Sequence, residues 1–168
     1  MARRESVPFG KIRAREIDAN VVKMGGDVLN GTAGTALSAT AAEINSLDGI
    51  PAGVTFTIGS EAANVINVGL QLEDANGNDL AVAGNVRAFL SDNSTGLDVT
   101  TTAPDGGIAD GTDGNITGSI TANIHLLLQS EADGDIDIDI TETGVDTWYL
   151  VVVLPNGKQV VSSAITFA

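Results

Sequence analysis

Residues 135–140 read Asp-Ile-Asp-Ile-Asp-Ile, a strict alternation of charged and apolar side chains. Successive side chains of a β-strand point to opposite faces of its sheet, whereas a helix would spread these isoleucines around its axis. The segment therefore predicts a strand with Ile136, Ile138 and Ile140 against a core and three carboxylates in solvent. A row of carboxylates also protects a strand from pairing with another chain along an open sheet edge.

The same two-residue period recurs through most of the chain after residue 53 and predicts a series of short strands. The stronger patterns cover Val54–Ile58, Val65–Glu73, Val86–Leu90, Ile116–Leu128 (one or two strands), Trp148–Leu154 and Gln159–Phe167, and weaker ones cover Leu80–Val82 and Leu97–Thr102. Turn sequences such as Asn-Gly separate them, while the glycine-rich stretch Ala103–Gly118 predicts a long loop. Roughly eight or nine strands without a helical pattern predict a mainly β fold, an antiparallel immunoglobulin-like β-sandwich over residues 53–168.

The N-terminal part of the chain differs in charge from the rest. Residues 1–23 contain six of the eight basic residues and three acidic ones, a net charge of +3, whereas the remainder carries −17. Residues 1–38 are interspersed with glycine and sustain no apolar period, so they predict an extended, basic anchoring arm. Because chain ends are ordered only where something holds them, and this arm has few apolar residues, we expect it to pack on a sister subunit or a larger particle.

Residues 39–52 predict one short helix and a hinge between the arm and the β domain. Thr40 and Glu43 fit a capping box at the start of the helix, and a Gly-Ile-Pro sequence ends it. Ile44 and Leu47 share one face of this helix. Because a helix of this length is marginal by itself, these two side chains are expected to lie at a subunit interface.

The composition excludes several kinds of chemistry. The chain has no cysteine and one histidine, so it has no disulfide, no thiolate nucleophile and no cluster of histidine ligands. His125 lies in an apolar run, and we interpret it as a half-buried strand residue rather than a catalytic base. No serine has a triad partner beyond this histidine. The chain is therefore predicted not to be an enzyme and to need no cofactor.

Two acidic segments are candidates for calcium sites. In Asp133–Asp139 the glycine stands at the second position instead of the sixth, which a calcium loop requires, and Asp105–Asn115 lacks the recurrence of a calcium-binding repeat. We interpret the first segment as a solvated strand face and the second as a loop, and we predict no metal site. A calcium-holding carboxylate pair at the turn before residue 135 is the alternative.

The charge and hydropathy of the chain also bear on its partners. An acidic body repels nucleic acid and anionic membranes, so neither is an expected partner. No apolar run is long enough to cross a bilayer, and no apolar segment of a signal peptide follows the basic N-terminus. We expect a soluble product made in a cytoplasm.

The sequence Thr40-Ala-Ala-Glu-Ile-Asn-Ser-Leu-Asp-Gly49 resembles a short element of tailed-bacteriophage structural proteins, which reads Thr-Ala-x-Glu-Leu-Asn-x-Leu-Asp-Gly. It is found in capsid decoration, head-fibre and tail-fibre proteins. Ile44 stands where leucine is common in that element. The resemblance covers these ten residues, and the β pattern that follows is similar in style to the immunoglobulin-like modules that phages display.

This resemblance implies a non-enzymatic virion protein, in the first place a capsid decoration (cement) protein on the capsid surface, synthesised in the cytoplasm of a bacterial host. Its partner would be the major capsid protein, and it would form a homo-oligomer, expected to be a trimer, with Ile44 and Leu47 between subunits. The residues expected to contact the capsid are Arg3, Arg4, Phe9, Lys11, Arg13 and Arg15.

Two alternatives remain open. One is a head-fibre or tail-fibre subunit whose β domain binds a host receptor or glycan; aromatic side chains on exposed loops would indicate it, but the aromatic residues after residue 53 fall in predicted strands. The other is a secreted enzyme or an adhesin domain, which the missing signal segment and catalytic set disfavour.

Overall fold

The computed structural model describes residues 49–168, which form ten β-strands and contain no helix. The strands are β1 (Gly53–Ile58), β2 (Val65–Glu73), β3 (Asn85–Ser91), β4 (Gly107–Asp110), β5 (Asn115–Thr121), β6 (His125–Gln129), β7 (Asp135–Thr141), β8 (Thr147–Val153), β9 (Gln159–Val161) and β10 (Ile165–Thr166). The predicted arm of residues 1–38 and the predicted helix lie outside the described residues.

The strands form two antiparallel sheets that share one hydrophobic core. The first sheet has the order β1-β2-β7-β4, and the second has the order β10-β8-β3-β6-β5, with β9 also paired to β8. The mainly β, antiparallel and sandwich-like fold that the two-residue period predicts is thus confirmed.

The alternation in β7 builds the centre of this core. Ile136, Ile138 and Ile140 are buried, and in the sheet they pair with the buried Leu70, Val68 and Ile66 of β2. Alternate residues of β3, β6 and β8 close the core from the second sheet. The rings of Trp148 and Phe167 complete it, meeting edge to face with their centroids 6.1 Å apart.

The predicted C-terminal hairpin is present, but its second strand is interrupted. Val161 pairs with Val151, and the same register would pair Ile165 with Thr147, yet Ile165 pairs with Trp148. Between the two segments the hydroxyl of Ser162 accepts the N–H of Leu150 (2.9 Å). β9 and β10 therefore form one sheet edge with a bulge-like break between them.

The prediction of a long loop over Ala103–Gly118 is wrong, because this stretch contains β4 and the start of β5. Glycine composition indicated a loop, but here it permits close strand approach: a Cβ on Gly106 would lie 2.3 Å from Cγ2 of Thr141. Asp110 then joins the two sheets, since its carboxylate accepts the N–H of Ile116 (2.5 Å).

The two weaker strand predictions, Leu80–Val82 and Leu97–Thr102, are also wrong. Leu80 is buried, but it donates its N–H to the Leu72 carbonyl (2.9 Å) from a loop that covers the core. In the second stretch the N–H of Thr100 bonds to the Leu90 carbonyl (2.8 Å) without extending a ladder. A short apolar run of this kind predicts that some of its residues are buried, but it does not predict that they pair with another strand.

β7 is an interior strand, paired on one side with β2 and on the other with β4. Its carboxylates therefore do not protect a sheet edge, as the alternation suggested. They lie on the outer face of the first sheet, where Asp139 accepts the side-chain amide of Asn67 (2.9 Å) and Asp137 accepts the hydroxyl of Thr112 (2.8 Å).

The strand directions define two ends of the fold. At the near end the chain leads into β1, and the N–H of Ala52 donates to the Glu73 carbonyl (2.9 Å). The near end also carries the loops 74–84, 111–114, 130–134 and 154–158, and the far end carries the loops 59–64, 92–106, 122–124 and 142–146 and residues 167–168.

Candidate functional site

The residues predicted to contact the capsid, Arg3, Arg4, Phe9, Lys11, Arg13 and Arg15, lie outside the described residues, as do the predicted interface residues Ile44 and Leu47. Their roles stay predictions. A site on the described residues has to be found on the β domain itself.

His125 occupies the position that the sequence predicts. It is half-buried in β6, and its ring meets that of Phe89 edge to face, with centroids 5.6 Å apart. Within the same part of the chain no catalytic partner set surrounds it, since its register neighbours are Phe89 and Thr121. The histidine is a packing residue on the outer face of the second sheet.

The acidic residues of β7 and the turn before it do not converge on one point. Across residues 49–168, no group of three or more acidic or histidine side chains is arranged to hold a metal ion. The pKa of Asp135 is raised, first because partial burial disfavours its charged form and then because of the neighbouring carboxylates of Asp133, Asp113, Asp137 and Asp79. Partial burial and mutual repulsion thus both disfavour the charged form of Asp135.

Glu142 is the one buried acidic residue among residues 49–168, with 6% of its surface exposed. Its carboxylate accepts the backbone N–H of Asp105 (2.9 Å) and that of Gly144 (2.7 Å). One carboxylate oxygen thus joins two far-end loops, and the other holds the turn that follows Glu142. We assign this residue a structural role.

The outer face of the second sheet differs in charge from the rest of the domain. Residues 49–168 contain 16 acidic residues and two basic ones, Arg87 and Lys158. The strand residues of this face include none of the acidic ones: Asn85, Arg87, Phe89 and Ser91 of β3, His125, Leu127 and Gln129 of β6, and Tyr149, Val151 and Val153 of β8. The second sheet therefore presents an acid-free face on a strongly acidic domain.

A loop covers the far-end half of this acid-free face. Gly96, in a left-handed conformation (φ 66°), packs so closely on β8 and β9 that an added Cβ would lie 2.8 Å from Val161 Cγ2 and 2.9 Å from Val151 Cγ2. The exposed Asp92 and Asp98 belong to the same loop. The near-end half, around Arg87, is the part that stays open.

The near-end half contains a cavity of about 330 Å³, which we call the Arg87 cavity. Arg87 is flanked in register by Leu127 on β6 and Val153 on β8. Asn85, Thr117 and Pro155 also line the cavity, and none of the lining residues is acidic. One guanidinium, one amide and one hydroxyl thus face a mainly aliphatic space.

The sequence did not point to this cavity, since its wall residues lie in four separate segments of the chain. A signal was present nonetheless: Arg87 is one of two basic residues after residue 23, in a strand pattern bounded by apolar residues.

Comparison with known proteins assigns no relationship: no protein-family model matches the chain, and no curated protein is similar to it. Within residues 49–168, none of the structure is a helix with the length and apolarity needed to span a bilayer.

Proposed function

We propose that the protein is a capsid decoration (cement) protein of a tailed bacteriophage, a non-enzymatic structural protein of the virion. It binds the major capsid protein on the outer capsid surface through residues 1–38, with Arg3, Arg4, Phe9, Lys11, Arg13 and Arg15 as contacts. The observation that carries this proposal is the ten-residue sequence Thr40–Gly49, which resembles a phage structural element.

The division of charge supports an anchoring arm. The +3 of residues 1–23 and the −17 of the remainder give the chain one segment that an acidic surface attracts and one that it repels. Such a chain binds an acidic shell by its arm and keeps its β domain away from that shell. Because the arm bridges the seams between neighbouring capsid proteins, it increases the free energy needed to rupture the shell.

The proposal assigns the segment that leads into β1 to the joint between the arm and the β domain. The chain enters β1 at the near end of that domain. Residues 39–52 would form the capped helix and hinge of the proposal. Ile44 and Leu47 would be buried between the subunits of a homotrimer.

The strand order supports an immunoglobulin-like assignment of the domain. The order β1-β2-β7-β4 corresponds to strands A-B-E-D of a constant-type immunoglobulin domain, and β3-β8-β9 corresponds to C-F-G. The hairpin β5–β6 is then an insertion between D and E that extends the second sheet beside β3. Phage display modules of this architecture are the class that the sequence resembles.

The proposal is tested by the binding of purified protein to capsids assembled without it. The double variant R13E/R15E should lose binding, while R87E/K158E, which changes the net charge equally but alters only the β domain, should bind like the wild type. Raising the salt concentration should weaken binding of the wild type, because screening acts on exposed charges.

Deletion of residues 1–34 is the second arm of this test. The truncated protein should no longer associate with capsids but should keep the fluorescence of its single tryptophan, Trp148, which is buried in the core. If the truncated protein still decorates capsids, or if R87E/K158E is the variant that fails, the anchoring role of the arm is wrong.

The second candidate is a head-fibre or tail-fibre subunit whose β domain binds a host receptor or glycan. The observation in its favour is the open half of the acid-free face. The aromatic residues do not favour it: Phe89, Trp148 and Phe167 are buried, and Phe56 and Tyr149 lie in strands. Electron microscopy of the virion would separate the two candidates by showing the protein on the capsid or on a fibre.

A further inference from the structure

We propose that the Arg87 cavity binds the C-terminal carboxylate of a polypeptide whose last residue is aliphatic. The proposal rests on the described β domain alone and is independent of the capsid-binding role of the arm. It assigns a ligand to the one open, acid-free region identified on this acidic domain.

The charge distribution is the first argument. Residues 49–168 contain 16 acidic residues against two basic ones, so carboxylates are the abundant charged group of this domain. Arg87 instead lies between Leu127 and Val153, in a cavity whose lining contains no acidic residue. Arg87 is itself exposed, so its guanidinium is available to an anion from outside.

The polar groups of the cavity are those that a carboxylate needs. A guanidinium presents paired N–H donors that match the two oxygens of a carboxylate. Asn85 precedes Arg87 by two residues on the same face of β3, and Thr117 lies across the cavity on β5. The amide of Asn85 can donate to a carboxylate. The hydroxyl of Thr117 donates to the Leu127 carbonyl (3.1 Å), so toward a ligand it acts as an acceptor, for the N–H of the last peptide group.

The apolar walls select the rest of the ligand. Leu127, Val153 and Pro155 border the same space as the guanidinium, so the ligand must place aliphatic carbons within a few bonds of its carboxylate. A C-terminal leucine or valine does this, because its side chain and carboxylate share one carbon atom. Aspartate and glutamate side chains have too few carbons to fill such walls.

The size of the cavity limits how much of the polypeptide it takes. A volume of about 330 Å³ is at the lower end of the range for ligand pockets. It fits the last one or two residues of a chain, not a long segment. Lys158 follows the lining residue Gly157 and lies outside the wall itself, so its contribution is long-range attraction.

The test uses the isotope-labelled full-length protein and two synthetic tetrapeptides, acetyl-Ala-Ala-Gly-Leu with a free carboxylate and the same peptide with a C-terminal amide. NMR titration should shift the backbone signals of β3, β6 and the turn 154–158 with the acid and not with the amide. R87Q should weaken binding of the acid about tenfold or more, since a charged hydrogen-bond pair is lost. K158Q, with the same charge change, should leave affinity within about twofold.

A second variant tests the apolar wall. L127N should also weaken binding, because Leu127 is 37% exposed at the cavity and its replacement removes aliphatic surface without altering charge. Unchanged Trp148 fluorescence in both variants would show that the fold is intact. Equal binding of acid and amide, full binding by R87Q, or no shifts at millimolar peptide would overturn the proposal. Equal affinity for free acetyl-leucine would overturn the assignment to a polypeptide end.

Discussion

The backbone N–H of Asp105 donates to the buried carboxylate of Glu142 at 2.9 Å, across 37 positions of sequence. The contact is reciprocal, because Thr143 donates both its N–H (3.0 Å) and its hydroxyl to the carboxylate of Asp105. Two far-end loops, 92–106 and 142–146, are joined by this pair of acidic residues. The carboxylate of Glu142 accepts the N–H of Asp105, and the carboxylate of Asp105 accepts the N–H of Thr143, the residue after Glu142.

Replacing Glu142 by alanine should therefore destabilise the fold. The substitution removes the acceptor of two part-buried hydrogen bonds, from the N–H groups of Asp105 and Gly144. Because these amides are partly reached by water, the loss of two bonds to a charged group should cost about 1–2 kcal/mol. Urea unfolding followed by Trp148 fluorescence measures the loss. E131A, which removes an exposed carboxylate from a near-end loop, should stay within about 0.5 kcal/mol of the wild type; equal losses would contradict the assigned role.

Asp105 should titrate below an ordinary aspartate. Its pKa is lowered from 3.8, mainly by the hydroxyl of Thr143 and then by the N–H of Thr143, because both bonds favour the ionised form. The resulting stabilisation is present above the ordinary pKa and is lost as the pH falls through the lowered one. In T143V the pKa of Asp105 should rise, as measured by NMR titration of the carboxyl carbons.

Asp74 provides the internal control for this titration. Its pKa is also lowered, chiefly by the N–H and side-chain amide of Asn78, and these groups lie at the near end. T143V should leave the titration of Asp74 unchanged. A shift of both residues, or of neither, would show that Thr143 does not cause the lowered pKa of Asp105.

The sequence was informative about the fold where burial follows a regular period. β2 begins and ends at the predicted residues, and β7 continues one residue beyond the predicted Ile140, because one face of each strand lies on the core and the other on solvent. β4 escaped prediction because Gly106, the residue just before it, is required by close contact with Thr141, which is more than 30 positions away. Local composition does not contain that contact.

The candidate site was less predictable than the fold for the same reason. The Arg87 cavity exists because β6 and β8 pair on either side of β3, which brings Leu127 and Val153 beside Arg87. Strand order depends on the whole chain and cannot be predicted from any one segment of the sequence. Glu142 was equally hidden, since nothing in the sequence distinguishes it from the other acidic residues until its burial is known.

Asp135 should destabilise the domain when ionised. Its pKa is raised by burial and by four neighbouring carboxylates, so the penalty is absent below the ordinary aspartate pKa and grows as the pH rises through the raised one. D135N should therefore raise the free energy of unfolding at neutral pH, by less than about 1 kcal/mol because the site is solvent-screened. The gain should shrink at high salt and vanish in acid.

Asp139 is the matched control, since it lies on the same face of β7 but accepts a hydrogen bond from Asn67. D139N removes one charge, as D135N does. It also disturbs the hydrogen bond from Asn67, because one of the two carboxylate oxygens becomes an amide nitrogen. It should give no comparable gain. If both variants stabilise equally, the overall charge of the domain, not the surroundings of Asp135, is the cause.

Phe167 should be essential to the stability of the domain. It is fully buried and packs edge to face on Trp148. F167A should cost about 3–5 kcal/mol because it leaves a large cavity. F167L, which keeps most of the apolar volume, should lose less, and equal losses in the two variants would argue against a cavity as the cause.

β1 should be the strand through which the domain associates edge to edge. It lies at the end of the first sheet, contains no charge and no proline, and its neighbour Gly59 donates to Asn67 (2.8 Å). Gly59 and Asn67 are therefore a hydrogen-bonded pair of the antiparallel ladder. Because hydrogen-bonded pairs alternate with non-hydrogen-bonded ones along a strand, the N–H and C=O groups of Val54 and Phe56 point away from β2. An uncharged edge of six residues is a template for pairing with another chain.

Introducing lysine at the exposed Thr57 of β1 should reduce this association, measured by light scattering at high protein concentration. The direction of the effect is decisive, because the lysine lowers the magnitude of the net charge of −14 and weaker overall repulsion alone would increase association. A132K makes the same charge change in an exposed near-end loop and should not reduce scattering. Equal reduction by both variants would mean that β1 is not the associating edge.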